Sequence, residues 1–251
     1  MSKRPRRKGP PPRPRIGADP NAPLILAIDT AGPIEAVVLL QGDLVIADQR
    51  LRRPRRRGTA LGVGIRDLLA AVDRTPQDLS AIAVVTGPGA FTGLRVGVAT
   101  AHGLARARGI PLYGYDATLA SACAISPGTR VGVLLDARRD EVYTAVYAAR
   151  GDDALPTVER ETTLESPASF ASAVSGPIRL VGDGARLYAE LLRAELPEST
   201  VGWLTPTGPG LAALARDASD RLARGEAGPV AEVQPVYLRD HDAAKARNAR
   251  P

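Results

Sequence analysis

Apolar residues fall along this chain in two rhythms, short unbroken runs and runs spaced three or four positions apart. Leu24–Ile28 is unbroken and stops at Asp29–Thr30, which predicts a buried strand. Ile34–Leu40 predicts a second strand, Gln41-Gly42-Asp43 a turn, and Leu44–Ala47 a third strand. After the arginine-rich stretch 50–57, Leu61, Ile65, Leu68, Leu69 and Val72 return at helical spacing. Ala81–Val85 predicts a fourth strand, and Gly87-Pro88-Gly89 leads into a long helix from about Phe91 to Arg108. Gly109 and then Pro111 form a normal helix exit. Leu112–Tyr115 predicts a fifth strand and Thr118–Ala124 a short helix.

The rhythm restarts after Ser126-Pro127-Gly128. Val131–Leu135 and Val142–Ala148 predict a strand pair joined through Asp136–Asp140, with a weaker strand near Val158–Thr162. Ser166-Pro167 opens a helix reaching Val174, since proline suits the first helical position. Then come a strand at Ile178–Val181, helices at Ala185–Arg193 and Thr207–Arg224, and an extended piece at Val233–Leu238. Strands that alternate with helices make an α/β protein. The element order, three strands and then helix-strand-helix, occurs twice. That duplicated βββαβαβα plan is the ground plan of the actin/hexokinase-like, ribonuclease H-like folds. It divides the chain into subdomains at 23–126 and 127–240, between a tail at 1–22 and another at 241–251.

Composition adds less than it first suggests. With 251 residues, 44% hydrophobic, the chain has enough apolar material for one large or two small cores. No apolar run is long enough to span a bilayer, and no apolar segment closely follows the basic N-terminus. The single cysteine, Cys123, has no internal partner, so a cytoplasmic address is expected. The formal charge of +6 belongs to residues 1–21, where seven basic residues stand against Asp19 alone; the remainder is neutral. Rich in proline as well as arginine, that segment is expected to be disordered. It is either an RNA-binding arm that reads no sequence or a solubilising extension.

The most informative stretch is Val85-Thr86-Gly87-Pro88-Gly89-Ala90-Phe91-Thr92-Gly93-Leu94-Arg95-Val96-Gly97-Val98-Ala99. It resembles the signature of the TsaB family and its catalytic paralogues. Leu26-Ala27-Ile28-Asp29-Thr30, Leu135-Asp136-Ala137-Arg138-Arg139-Asp140-Glu141-Val142-Tyr143 and Pro235-Val236-Tyr237-Leu238-Arg239 resemble TsaB specifically and follow in the right order. The resemblance implies a non-catalytic subunit that holds a TsaD-type paralogue in a heterodimer and works with a small TsaE-type ATPase. Together they transfer threonylcarbamoyl to the tRNA adenosine beside the anticodon. Contact with tRNA inside the complex and a homodimer of the isolated chain are further possible associations; a membrane is not among them.

The residues give little support to other chemistries. Gly87–Gly93 fails the dinucleotide fingerprint at Thr92 and the P-loop at Leu94 and Arg95, so it reads as a strand-to-helix turn with Thr92 as the cap. The turns where an ATPase or sugar kinase of this fold would cradle phosphates are Asp29–Pro33 and Asp136–Arg139. Pro33 lacks an N–H and the second turn lacks glycine. Asp29 and Asp136 either hold magnesium or bond their own turn backbone. A glycoprotease-like peptidase would need the His-x-x-x-His pair of the catalytic paralogues, whose positions fall here on Ala117 and Ser121. No catalytic residue, cofactor or metal is therefore expected. The resemblance places the partner interface on the first two helices. Their broad apolar faces, Leu61, Ile65, Leu68, Leu69 and Val72 with Leu94, Val98, Ala101, His102 and Ala105, supply the expected contacts. Arg138 and Arg139 are expected at a hairpin tip.

Overall fold

The computed structural model describes residues 19–52, 60–125, 128–148, 155–197, 200–201 and 209–239. Most of the expected N-terminal tail and all of the C-terminal one lie outside these residues. Residues 19–22 form a turn held by the Gln41 amide, which donates to the Pro20 carbonyl at 3.0 Å.

In the first half, β1 (Leu24–Asp29), β2 (Ile34–Gln41) and β3 (Leu44–Arg52) form an antiparallel meander. Helix α1 (Ala60–Ala70) leads to β4 (Ala81–Gly87), α2 (Phe91–Arg108) to β5 (Leu112–Asp116), and α3 (Ala117–Ala122) follows. The crossovers are parallel and the sheet order is β3-β2-β1-β4-β5. The second half repeats the plan with β6 (Arg130–Arg138), β7 (Glu141–Ala148), β8 (Thr157–Glu165), α4 (Pro167–Ala173), β9 (Arg179–Val181), α5 (Asp183–Leu187), α6 (Ala189–Glu195), β10 (Thr200–Val201) and α7 (Pro209–Ala223). Its sheet order, β10-β9-β6-β7-β8, mirrors the first.

The unbroken apolar runs arise because helices cover both faces of each sheet. Along β1, Leu24, Leu26 and Ile28 face the core under α1 and α2, while Ile25 and Ala27 face the core under α7. Helix α7 thus crosses back to the first sheet, placing Leu211, Leu214, Ala215 and Ala218 against Ile25, Val38 and Val85. Helix α3 makes the reciprocal journey, setting Ala122 among Val131, Val133 and Tyr147 of the second sheet.

Three expectations change. Residues 185–193 are not one helix but parts of α5 and α6, which break at Tyr188. The weak strand is nine residues long. It pairs only with β7 and carries Glu159, Arg160, Glu161 and Glu165, charges that suit a sheet edge. Val233–Leu238 is extended but not part of a sheet, and follows a 3-10 turn at Val230–Glu232. Gly109 closes α2 as expected, in the left-handed region at φ 63°.

Candidate functional site

Between the two sheets lies a cleft of about 660 Å³. One wall is the turn after β1 together with Pro88 and Gly89; the other is the end of β6 and the start of α5. The Asp29 carboxylate is almost fully buried, and its Oδ1 accepts the Ala31 N–H at 2.9 Å. The Ala90 N–H donates to the Ala31 carbonyl at 2.9 Å. A Cβ on Gly89 would lie 2.7 Å from that same carbonyl oxygen, so only glycine lets the signature turn press this close. Across the cleft, Asp136 Oδ1 accepts the Arg138 N–H at 2.8 Å, and the Arg138 guanidinium returns to Asp136 Oδ2 at 3.0 Å. Asp183 Oδ1 accepts the N–H groups of Asp136 and Gly184 at 2.9 and 3.0 Å.

A phosphate cradle needs backbone N–H groups aimed at the ligand. In this cleft the N–H groups of Ala31, Asp136, Arg138 and Gly184 donate to the protein's own carboxylates instead, and Asp29, Asp136 and Asp183 share the lining with Arg138 and Arg186. Of the two alternatives for Asp29 and Asp136, the geometry favours bonding of their own turns. Ala117 and Ser121 both line the cleft, and the Ser121 hydroxyl donates to the Ala117 carbonyl at 3.0 Å. Among the described residues no group of three His, Cys, Asp or Glu comes together where it could hold a metal ion. Cys123 ends α3, where burial, aided by the Asp217 charge, pushes its thiol up to about 12.

The signature helix α2 is placed by its small residues. The Thr30 hydroxyl donates to the Gly93 carbonyl at 2.8 Å, and a Cβ on Gly97 would stand 2.1 Å from Thr30 Oγ1. The Gly93, Gly97, Ala101 and Ala105 stripe therefore faces the protein's own sheet. Thr92 does not cap the helix; Ala90 occupies that position without a side-chain bond. Phe91 and Arg95 start the helix beside Tyr237. The two rings are 5.1 Å apart, the Arg95 guanidinium lies 3.8 Å from the Phe91 centroid, and Arg95 Nε donates to the Tyr237 hydroxyl at 3.1 Å.

This corrects the residues expected at a partner surface. Leu61, Ile65, Leu68, Leu69, Leu94, Val98, Ala101 and Ala105 are all buried inside the chain, and Val72 packs partly buried against the same core. His102 is half-buried, its Nε2 2.6 Å from the Val233 carbonyl. Each apolar face is consumed by the protein's own sheet, and the residues between Val230 and Tyr237 take up the flank of α2. What α1 and α2 turn outward is different: Gly62, Val63, Arg66, Asp67 and Ala70 from α1, and Phe91, Thr92, Arg95, Ala99, Gly103, Arg106 and Ala107 from α2, with Val96 and Thr100 half-buried among them. Val63 is 42% exposed.

Two lobes of repeated topology around a cleft make this an actin/hexokinase-like protein, one whose cleft turns bond to aspartates of their own lobes. A family model described as TsaD, tRNA N6-adenosine threonylcarbamoyltransferase, matches residues 55–245. The tRNA threonylcarbamoyladenosine biosynthesis protein TsaB of Bacillus subtilis is 30% identical over 86% of this chain and 93% of its own length. That of Escherichia coli is 31% identical over 88% and 96%. A Pseudomonas aeruginosa crystal structure, described as an uncharacterized protein with similarity to peptidase YEAZ, superposes with a TM-score of 0.71. It is 28% identical, over 86% of this chain and all of that one. The chain belongs to the TsaB family.

Proposed function

We propose that this chain is a non-catalytic subunit of the machinery that makes threonylcarbamoyladenosine in tRNA. It pairs with a TsaD-type catalytic paralogue in an assembly completed by a TsaE-type ATPase and tRNA. The family supports the pathway, and the self-bonded cleft turns favour a scaffold over a kinase or ATPase. The observation that carries the pairing is the outward face of α1 and α2. There Val63, Val96, Ala99, Thr100 and Gly103 present small or apolar residues on neighbouring helices, flanked by the exposed Arg66, Asp67, Arg95 and Arg106, a face of a kind that another pair of helices covers. Glycine and alanine at its centre allow close approach of a second backbone.

Val63→Asp and Ala99→Asp test this, each co-expressed with the catalytic paralogue and examined by size-exclusion chromatography with light scattering. A charge buried without a partner costs roughly 2–5 kcal/mol of association. Both variants are expected to elute alone while melting at the wild-type temperature. Retention of the heterodimer at wild-type affinity by both folded variants would remove α1 and α2 from the interface.

A further inference from the structure

Residues 228–239 form a strap that begins on the first lobe and ends on the second. The Gly228 carbonyl accepts the Leu112 N–H at 3.1 Å, beside β5. The Val233 carbonyl lies 2.6 Å from His102 Nε2, and the Val236 N–H donates to the Thr86 carbonyl at 2.8 Å, where β4 meets the cleft. Tyr237 then packs on Phe91 and Arg95 of α2. The next contact crosses over. Arg239 pairs with Glu141 and donates from Nη2 to the Arg138 carbonyl at 3.3 Å.

The receiving hairpin is strained. Arg138, Arg139 and Asp140 have φ of 65°, 58° and 59°, three successive non-glycine residues in the left-handed region. Such a conformation persists only where its surroundings over-determine it. From the hairpin's own lobe, Asp136 holds Arg138, and Tyr188 reaches Asp140 weakly at 3.5 Å. Among the described contacts to the tip, Arg239 is the one from the strap. Elsewhere the lobes meet at α3, where the Thr118 hydroxyl lies 2.7 Å from Tyr147 Oη and 2.8 Å from Thr162 Oγ1, and at Leu135 of β6, which packs against the first lobe's core.

We propose that the strap is an interlobe clasp: Arg239 holds the hairpin tip in its left-handed form and fastens it to the first lobe, so the cleft opens about α3 only when Arg239 lets go. The fastening includes a partly solvated ion pair and a carbonyl bond from Arg239, weak enough to release and placed beside the cleft. This inference does not depend on the partner surface proposed above.

Hydrogen–deuterium exchange on the full chain, with thermal melting alongside, tests it. Arg239→Ala and Glu141→Gln should each speed exchange at residues 137–142 by about tenfold, the effect of freeing roughly one left-handed residue. Exchange in β1, β4 and α7 should stay at wild-type rates. The double variant should match either single one, and Arg239→Lys should fall between. Unchanged exchange at the tip in Arg239→Ala overturns the clasp. So does a uniform increase across both lobes with a lowered melting temperature, which would make the pair a general stabiliser.

Discussion

Replacing Gly97 by alanine puts the placement of α2 to a quantitative test. In an exposed helix interior this change stabilises by up to about 1 kcal/mol. At Gly97 the new Cβ would lie 2.1 Å from Thr30 Oγ1 and 3.2 Å from Thr30 Cβ, so one of the two elements must move. Overpacking of this kind costs about 1–3 kcal/mol. The shift also breaks the buried bond from Thr30 to the Gly93 carbonyl, worth about 0.5–1.5 kcal/mol. After the propensity gain, the net is a destabilisation of about 1–3 kcal/mol, or roughly 3–10 °C in melting temperature for a chain of this size. Gly103→Ala on the same helix is the control, because a Cβ there meets nothing within 4 Å. It should raise the melting temperature by about 2–4 °C. Thr30→Ala removes the obstructing hydroxyl. The Gly97→Ala penalty should therefore shrink by about 2 kcal/mol in that background, a coupling that a double-mutant cycle reads directly. If Gly97→Ala stabilises as Gly103→Ala does, or its penalty is the same with or without the Thr30 hydroxyl, then α2 does not rest on β1 through that stripe.

Two further outcomes follow from buried and paired groups. Cys123, with its thiol pushed up to about 12, carries almost no thiolate at pH 8. It should resist a disulfide reagent in the native protein and react fully in urea, as followed by thiol absorbance. Burial alone would raise the Glu165 carboxyl, but bonds from Arg160, Thr144 and Ser169 outweigh it and hold it below its ordinary value of 4.5. A depressed folded-state value means Glu165 contributes stability above about pH 4.5 and loses it as pH falls through that lowered value. Glu165→Gln should therefore be less stable than wild type at pH 7 and show a shallower decline on acidification, measured by urea melts from pH 7 to pH 3. An unchanged pH profile would show that the cluster does not form.

The strands and their order along the chain were legible because two buried faces leave unbroken apolar runs, and because Gly109 and Pro111 mark the end of α2 unambiguously. The break at Tyr188 was not, since Ala185–Arg193 contains neither glycine nor proline and its apolar spacing continues through the kink. The edge strand β8 was only half visible, because solvent on its outer side removes the need for apolar residues. For the site, the signature turn was readable from Gly87–Gly89, yet the orientation of α2 was not. Its two stripes, small and apolar, are equally plausible as contact surfaces by composition. What decides between them is Thr30, far away in sequence, and the residues near Val233 that cover the flank. An apolar stripe in a sequence reports that something covers it; it does not report whether the cover is the same chain or another.

The crossing of α3 and α7 bears on how the chain comes into being. The second half lends α7 to the first sheet, and α3 packs on both sheets, with Ala117 and Ala120 in the first core and Ala122 in the second, so neither half holds a complete core by itself. As the polypeptide leaves the ribosome, the sheet of β1 to β5 can form early. One of its faces, carrying Ile25, Val38, Leu40 and Val85, stays uncovered until residues 209–223 emerge. The whole second sheet must be made before the first lobe is closed, which leaves a long interval in which that face is open to chaperones or to wrong partners.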